Sequence, residues 1–277
     1  METYLQNFIT KLSLTDGASP LTAQSYMRYL SRFFSVANIS HPRKITEQKI
    51  QDFRLALHNE NKKKQTINCY LIALRQFLKH LKKQGIETLD FSLIELSKQD
   101  ERKIEVLTNE DAEKLFAEAK NNSRAYAILK CLYSTGLRVH ELAALPKELK
   151  LTAEGGYTVL GKGGRTRLVY FGEGAREAIR AYAPTIDGST DPRLFPIALG
   201  NIKKIVRKVA NRAGFKGKRI GAHAFRHLFA TTLRRNKVDI RVVQTMLGHK
   251  SIASTQIYDT VVNEETRHAH ALLTSFG

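Results

Sequence analysis

The 277-residue chain has no tryptophan, six prolines and only two cysteines, Cys69 and Cys131. Two cysteines in apolar helical surroundings, without metal-ligand spacing, exclude a disulfide-stapled secreted scaffold and a cysteine-built zinc centre. They read as buried, reduced thiols. No apolar run approaches the roughly 20 residues of a membrane span. The amphipathic start METYLQNFITKL lacks the pattern of a secretory signal. The expectation is a cytoplasmic protein with no membrane partner. Acidic residues are also scarce, 26 Asp and Glu against 45 Lys and Arg, for a formal net charge of +19. The excess is spread along the chain, with 15 basic and 8 acidic side chains in residues 1–98 and 30 and 18 in residues 99–277. No single cationic tail accounts for it. A surface of this sign suits a partner made of phosphates, above all nucleic acid.

What the chain has in quantity is helical periodicity. Residues 1–97 read as helices only: Glu2–Leu14, Pro20 to about Ala37, Thr46–His58, and about Lys62 to Lys83 with a stop at Gly85. Lys62, Lys63, Lys64, Arg75, Lys79, Lys82 and Lys83 decorate the last of these. The polar stretch SKQDERKIEV, Ser97–Val106, has no period and predicts a linker over about residues 98–107. Thr108 to Asp111 matches a capping box, which opens a second domain over 108–277. Its expected helices cover Arg124–Ser134, Arg138–Ala144, Glu173–Ala183, Asn201–Ala213, His223–Asn236, Asp239–Leu247 and Glu264–Leu273. Strand signals at Tyr157–Leu160 and Arg167–Phe171, joined through Gly161-Lys162-Gly163-Gly164-Arg165, predict a hairpin. The expected fold is therefore mainly α with a small β-hairpin, a helical N-terminal domain followed by an α+β domain.

The chemistry concentrates between Arg219 and Asp259. His223 and Arg226 stand three apart and share a helix face. A cation pair aimed at one spot suggests an anion, with phosphate the first candidate. Tyr258 supplies a hydroxyl able to attack it. Arg138 follows Ser134-Thr-Gly136-Leu at a helix start, where the helix dipole adds to its charge. Lys162 lies in a glycine-rich turn between strands, which is not a phosphate-binding loop of the strand-to-helix type. Each residue alone has a plainer reading: Arg138 tied to a structural Glu141, Lys162 an ordinary turn lysine, Tyr258 an anchor of the C-terminal segment. His223 and His227 also have zinc-ligand spacing, with His249 as a third donor. No carboxylate lies between those two histidines, and Arg226 between them repels a cation.

Order and spacing together are more specific. Thr135-Gly-Leu-Arg138-Val-His-Glu141-Leu, Gly161-Lys162-Gly-Gly, His223-Ala-Phe-Arg226-His227, Leu247-Gly-His249 and Tyr258 follow one another in the order Arg, Lys, His-x-x-Arg, His, Tyr. In this the chain resembles the tyrosine recombinase (phage integrase) family, and its two-domain Xer-like members most. Leu194-Phe195-Pro196 is also family-like. Phe225 and Leu228 stand where Leu and a small hydroxyl residue are usual, and His140 replaces a frequent Ser. The resemblance implies a helical core-binding domain that clamps DNA and a catalytic domain carrying Arg138, Lys162, His223, Arg226, His249 and Tyr258, with Glu141 supporting Arg138. It implies site-specific recombination of double-stranded DNA through a 3′-phosphotyrosyl intermediate and a Holliday junction, with no cofactor and no metal. It further implies a homotetramer on two DNA sites; some relatives work as two different subunits and some need an activator. Dimer resolution is the expected role, since no added arm-binding domain is present. A mobile-element integrase shares the chemistry, and so does a type IB topoisomerase. An architectural DNA-binding protein is the non-enzymatic alternative.

Overall fold

The computed structural model describes residues 1–98, 107–161, 164, 166–217 and 220–248. Most of the expected linker, the last expected helix, and Lys162, His249 and Tyr258 lie outside the described residues. The chain divides into two compact units, Met1–Arg102 and Lys103–Gly277.

The first unit is built from α1 (Glu2–Leu14), α2 (Pro20–Val36), α3 (Glu47–Asn59) and α4 (Lys64–Lys83). Local signals set the boundaries. The Ser19 hydroxyl accepts the Thr22 N–H at 3.2 Å with Pro20 in the first turn, and Thr46 caps α3 through the Lys49 N–H at 3.3 Å. α4 is the centre of the unit, with Leu71, Leu74, Phe77, Leu78 and Leu81 all essentially inaccessible. Its one buried amide, Asn68, binds the backbone of Ser97 on both sides, at 2.9 and 3.0 Å. That reciprocal pair satisfies the amide and pins the end of the unit against its central helix. Two short 3-10 turns, Pro42–Lys44 and Phe91–Leu93, interrupt stretches read as loop.

The second unit begins with α5 (Asn109–Ala119), where Thr108 and Asp111 form the expected reciprocal capping box at 3.1 and 3.2 Å. α6 (Ser123–Thr135) is its core helix, with Ala127, Ile128, Leu129, Cys131 and Leu132 fully buried. Cys69 is only half-buried, so the reading of two buried thiols holds for Cys131 alone. α6 ends at Gly136, whose φ of +60° is the left-handed conformation that glycine adopts without penalty. A Cβ there would stand 2.7 Å from the Phe229 ring, so glycine is required twice over.

The short helix α7 (Val139–Ala143) follows, then the hairpin β1 (Gly156–Leu160) and β2 (Thr166–Tyr170). The strands are antiparallel with Gly156 opposite Tyr170 and Leu160 opposite Thr166. Tyr157, Val159, Arg167 and Val169 share the inward parity, while Leu160, Leu168 and Tyr170 face out. α8 (Glu173–Tyr182), a 3-10 turn at Ala183–Ile186, α9 (Leu199–Arg212), α10 (Ala222–Arg235) and α11 (Ile240–Leu247) complete the described part. Phe225 and Leu228 are buried on α10, so the two substituted family positions are core packing; His140 is exposed. No helix among the described residues is long and apolar enough to cross a membrane.

Candidate active site

The site forms where three chain segments meet the C-terminal end of α11. The last carbonyls of a helix have no partner within it, and here each is taken by an arginine from elsewhere. Met246 O accepts from Arg167 Nε at 2.9 Å, Leu247 O from Arg226 Nη2, and Gly248 O from Arg138 Nη2 at 3.2 Å. Three guanidiniums on three consecutive carbonyls also match the partial negative charge of a helix C-terminus. Gly248 itself closes α11 at a φ of +63°.

Arg138 is the N-cap residue of α7, which the sequence of that turn makes self-supporting. The Glu141 carboxylate accepts the Arg138 backbone N–H at 2.7 Å and its Nη1 at 3.1 Å. The plain reading of Arg138 as tied to Glu141 is thus correct as geometry. It does not compete with a functional one, since the Arg138 side chain keeps 28% of its surface exposed. Arg226, by contrast, is only 2% exposed and lies beneath, with Nη1 on Gly136 O at 2.8 Å. The left-handed turn after α6 therefore also presents an acceptor for the Arg226 fork.

Glu141 holds the arrangement together. Its side chain is 1% exposed, and both oxygens are further engaged by Arg167, at 2.8 and 2.7 Å. Burial alone would push this carboxyl up. The Arg167 hydrogen bonds, the Arg138 N–H and the two positive charges outweigh it, bringing the pKa down to about 2. A folded-state pKa below the unfolded value of 4.5 gives stability that is present above pH 4.5 and lost as pH falls toward 2. Wild type is expected to lose roughly 3 kcal/mol across that window from this group. Urea unfolding of wild type and Glu141→Gln at pH 5 and pH 2.5 isolates the contribution; equal acid sensitivity in both would refute it.

His223 and His227 sit one turn apart on α10, with ring centroids 4.3 Å apart and nearly perpendicular planes. Burial, then Arg226 and Arg138, lower the His223 pKa; burial, then His223 and Arg226, bring His227 down to about 4. The lowered pKa favours the neutral form of the His223 imidazole. The positive field around it suits an anion. Among the described residues no group of three His, Cys or carboxylate side chains gathers as a metal site.

Beside His223 opens a cleft of about 750 Å³, lined by Val139, by Lys203, Arg207 and Asn211 of α9, and by residues 220–222 at the start of α10. Its cations and the amide end of α10 give it a positive floor.

The structure thus brings Arg138, Glu141, His223 and Arg226 together. Arg167 was not singled out by the sequence reading, which noted it only as the start of a strand. Its signal was parity: a charged residue alternating with Val169 and Phe171 on the buried side must have a buried partner.

Residues 105–265 match the model of the phage integrase family, and residues 5–85 match its N-terminal SAM-like domain. The chain is 35% identical to tyrosine recombinase XerD of Chlamydia pneumoniae, with 94% of this chain and 91% of the relative covered. It is 32% identical to tyrosine recombinase XerC of Thermodesulfovibrio yellowstonii, covering 93% and 91%. The crystal structure of the XerH site-specific recombinase bound to its difH substrate superposes with a TM-score of 0.69 at 23% identity, over 87% of this chain and 76% of that one.

Proposed function

The chain belongs to the phage integrase family as a DNA strand-transferring, Xer-like site-specific tyrosine recombinase, and from that premise we propose how its residues divide the reaction. Tyr258 attacks the scissile phosphodiester, forming a 3′-phosphotyrosyl bond and releasing a 5′-hydroxyl. Arg138 and Arg226 bind the non-bridging oxygens as negative charge builds in the transition state, which is the largest stabilising contribution. His249 donates a further hydrogen bond to the phosphoryl group. Lys162 protonates the departing 5′-oxygen, and the neutral His223 accepts and returns the tyrosine proton. Glu141 orients Arg138. Each transfer exchanges one phosphoester for another, so no ATP is required, and the Arg138 and Arg226 guanidiniums take the charge-stabilising part that a metal ion plays in other phosphoryl transfers.

The observation that carries this reading is the seating of Arg138 and Arg226 on consecutive carbonyls, Gly248 and Leu247, with His223 lowered in pKa beside them. The cations of the α9 cleft supply a track for the flanking DNA backbone. Two sequential strand exchanges between two duplexes, through a Holliday junction, recombine the sites, and two copies of one site on a single molecule make the product a resolved dimer. The test is a duplex that the protein itself selects from a randomised pool, nicked near its centre and incubated with full-length protein in EDTA. A DNA adduct that protease removes on a denaturing gel is the expected product. Cleavage that requires added zinc would overturn the assignment.

Assembly follows from the sequence beyond Tyr258. Val262, Ala269, Leu272, Leu273 and Phe276 give that tail an apolar side, suited to docking on a neighbouring protomer in a homotetramer on two sites. Removal of residues 263–277 is expected to weaken assembly on a two-site DNA by ~10²-fold, the scale of a lost second attachment, while leaving single-site binding near wild type. Gel-shift titrations on one-site and two-site duplexes measure both; equal loss on the two would refute docking in trans.

A further inference from the structure

We infer that Arg167 is a positioning residue of the recombination reaction: it joins the hairpin that carries Lys162, the Glu141–Arg138 pair and the end of α11 into one unit. The inference rests on the division of roles proposed above and deepens it.

Among the described residues, Arg167 is the one charged member of the inward face of the hairpin, opposite Val159, and its side chain is 7% exposed. A guanidinium so placed is costly unless its donors are met. They are met on two sides. Nη1 and Nη2 clasp the two oxygens of Glu141 at 2.8 and 2.7 Å, and Nε reaches Met246 O at 2.9 Å. Each Glu141 oxygen is consequently shared between the arginines, Oε1 by the two Nη1 groups and Oε2 by Arg167 Nη2 and the Arg138 backbone N–H. The carboxylate is a bridge, and the orientation it gives Arg138 depends on the Arg167 end being fixed.

The chain makes room for this side chain. A Cβ at Gly248 would lie 3.1 Å from Arg167 Cδ, so the glycine that closes α11 also lets Arg167 pass beneath it to Glu141. The side chain thereby links three segments, each bearing or adjoining a reaction residue: Lys162 five positions before it, Arg138 across Glu141, and His249 directly after Gly248. Lysine cannot replace it, since a single ammonium cannot hold both carboxylate oxygens and Met246 O in a fixed plane.

The test uses full-length protein and the selected, nicked duplex in single-turnover cleavage, alongside equilibrium binding. Arg167→Met, which keeps the apolar stem, is expected to cleave ~10²-fold more slowly, with duplex affinity changed by less than about threefold. Arg167→Lys recovers only part of the rate. Because the residue acts through Glu141, Arg167→Met/Glu141→Gln is expected to cleave no more slowly than the slower single variant. Multiplication of the two losses would overturn the inference, as would a wild-type rate in Arg167→Met. Arg167→Met/Glu141→Leu removes both buried charges and is expected to melt close to wild type yet remain slow. Recovery of rate together with stability would reduce Arg167 to a structural residue and overturn the proposal. An adduct indifferent to position 167 overturns this inference alone; no adduct with wild-type protein overturns it together with the proposed function.

Discussion

Tyr258→Phe is expected to give no covalent DNA adduct at any incubation time, while binding duplex DNA as wild type does. The substitution keeps the aromatic ring and removes only the hydroxyl proposed to attack. A variant lacking a general acid or base retains residual chemistry from positioning and charge stabilisation. A variant lacking the nucleophile has no oxygen to bond to phosphorus, so its loss is absolute. The measurement is the protease-sensitive band on a denaturing gel beside a gel-shift titration of the same duplex. Any adduct formed by Tyr258→Phe would assign the nucleophile to another side chain.

Arg226→Ala is expected to fail in two separable ways. The buried guanidinium donates to Gly136 O and Leu247 O, and two buried carbonyls without donors cost about 2–5 kcal/mol of stability. Cleavage falls by ~10³-fold or more, the scale of a lost transition-state charge clamp. Arg226→Lys separates the two effects, since the charge stays buried near one carbonyl while the planar fork is lost. It is expected to retain most of the stability and still lose ~10²-fold or more in cleavage. Denaturant unfolding and single-turnover cleavage of both variants give the comparison, and near-wild-type cleavage by Arg226→Lys would remove the fork from the mechanism.

Much of the architecture was legible in the residues. Ser19-Pro20, Thr46 and the Thr108–Asp111 box are local signals whose hydrogen bonds close within three residues, so they mark helix starts without knowledge of the fold. Gly136 and the glycine-rich turn mark their boundaries for the same reason, and the hairpin strands lie within one residue of their expected positions. The gathering of Arg138, Glu141, His223 and Arg226 followed from motif order, because Arg138 and Glu141 are neighbours on one turn and His223 and Arg226 on another. What could not be read is where long side chains end. Arg167 meets Glu141 across 26 positions and Met246 across 79, and no local pattern encodes a contact of that range. The 3-10 turns were missed because three residues are too few to show a period.

The end of α11 has one more consequence. Its carbonyls engage the Nη2 groups of Arg138 and Arg226, the side chains proposed to bind the scissile phosphate, so on that proposal the helix end is an internal competitor for them. A ground-state phosphodiester, carrying one negative charge, gains little by displacing a backbone dipole that already satisfies them. The five-coordinate phosphorane-like state carries more charge on its equatorial oxygens and outcompetes the dipole decisively. On the proposed mechanism, competition of this kind would discount substrate affinity without discounting the transition state, and binding energy would be withheld until Tyr258 attacks.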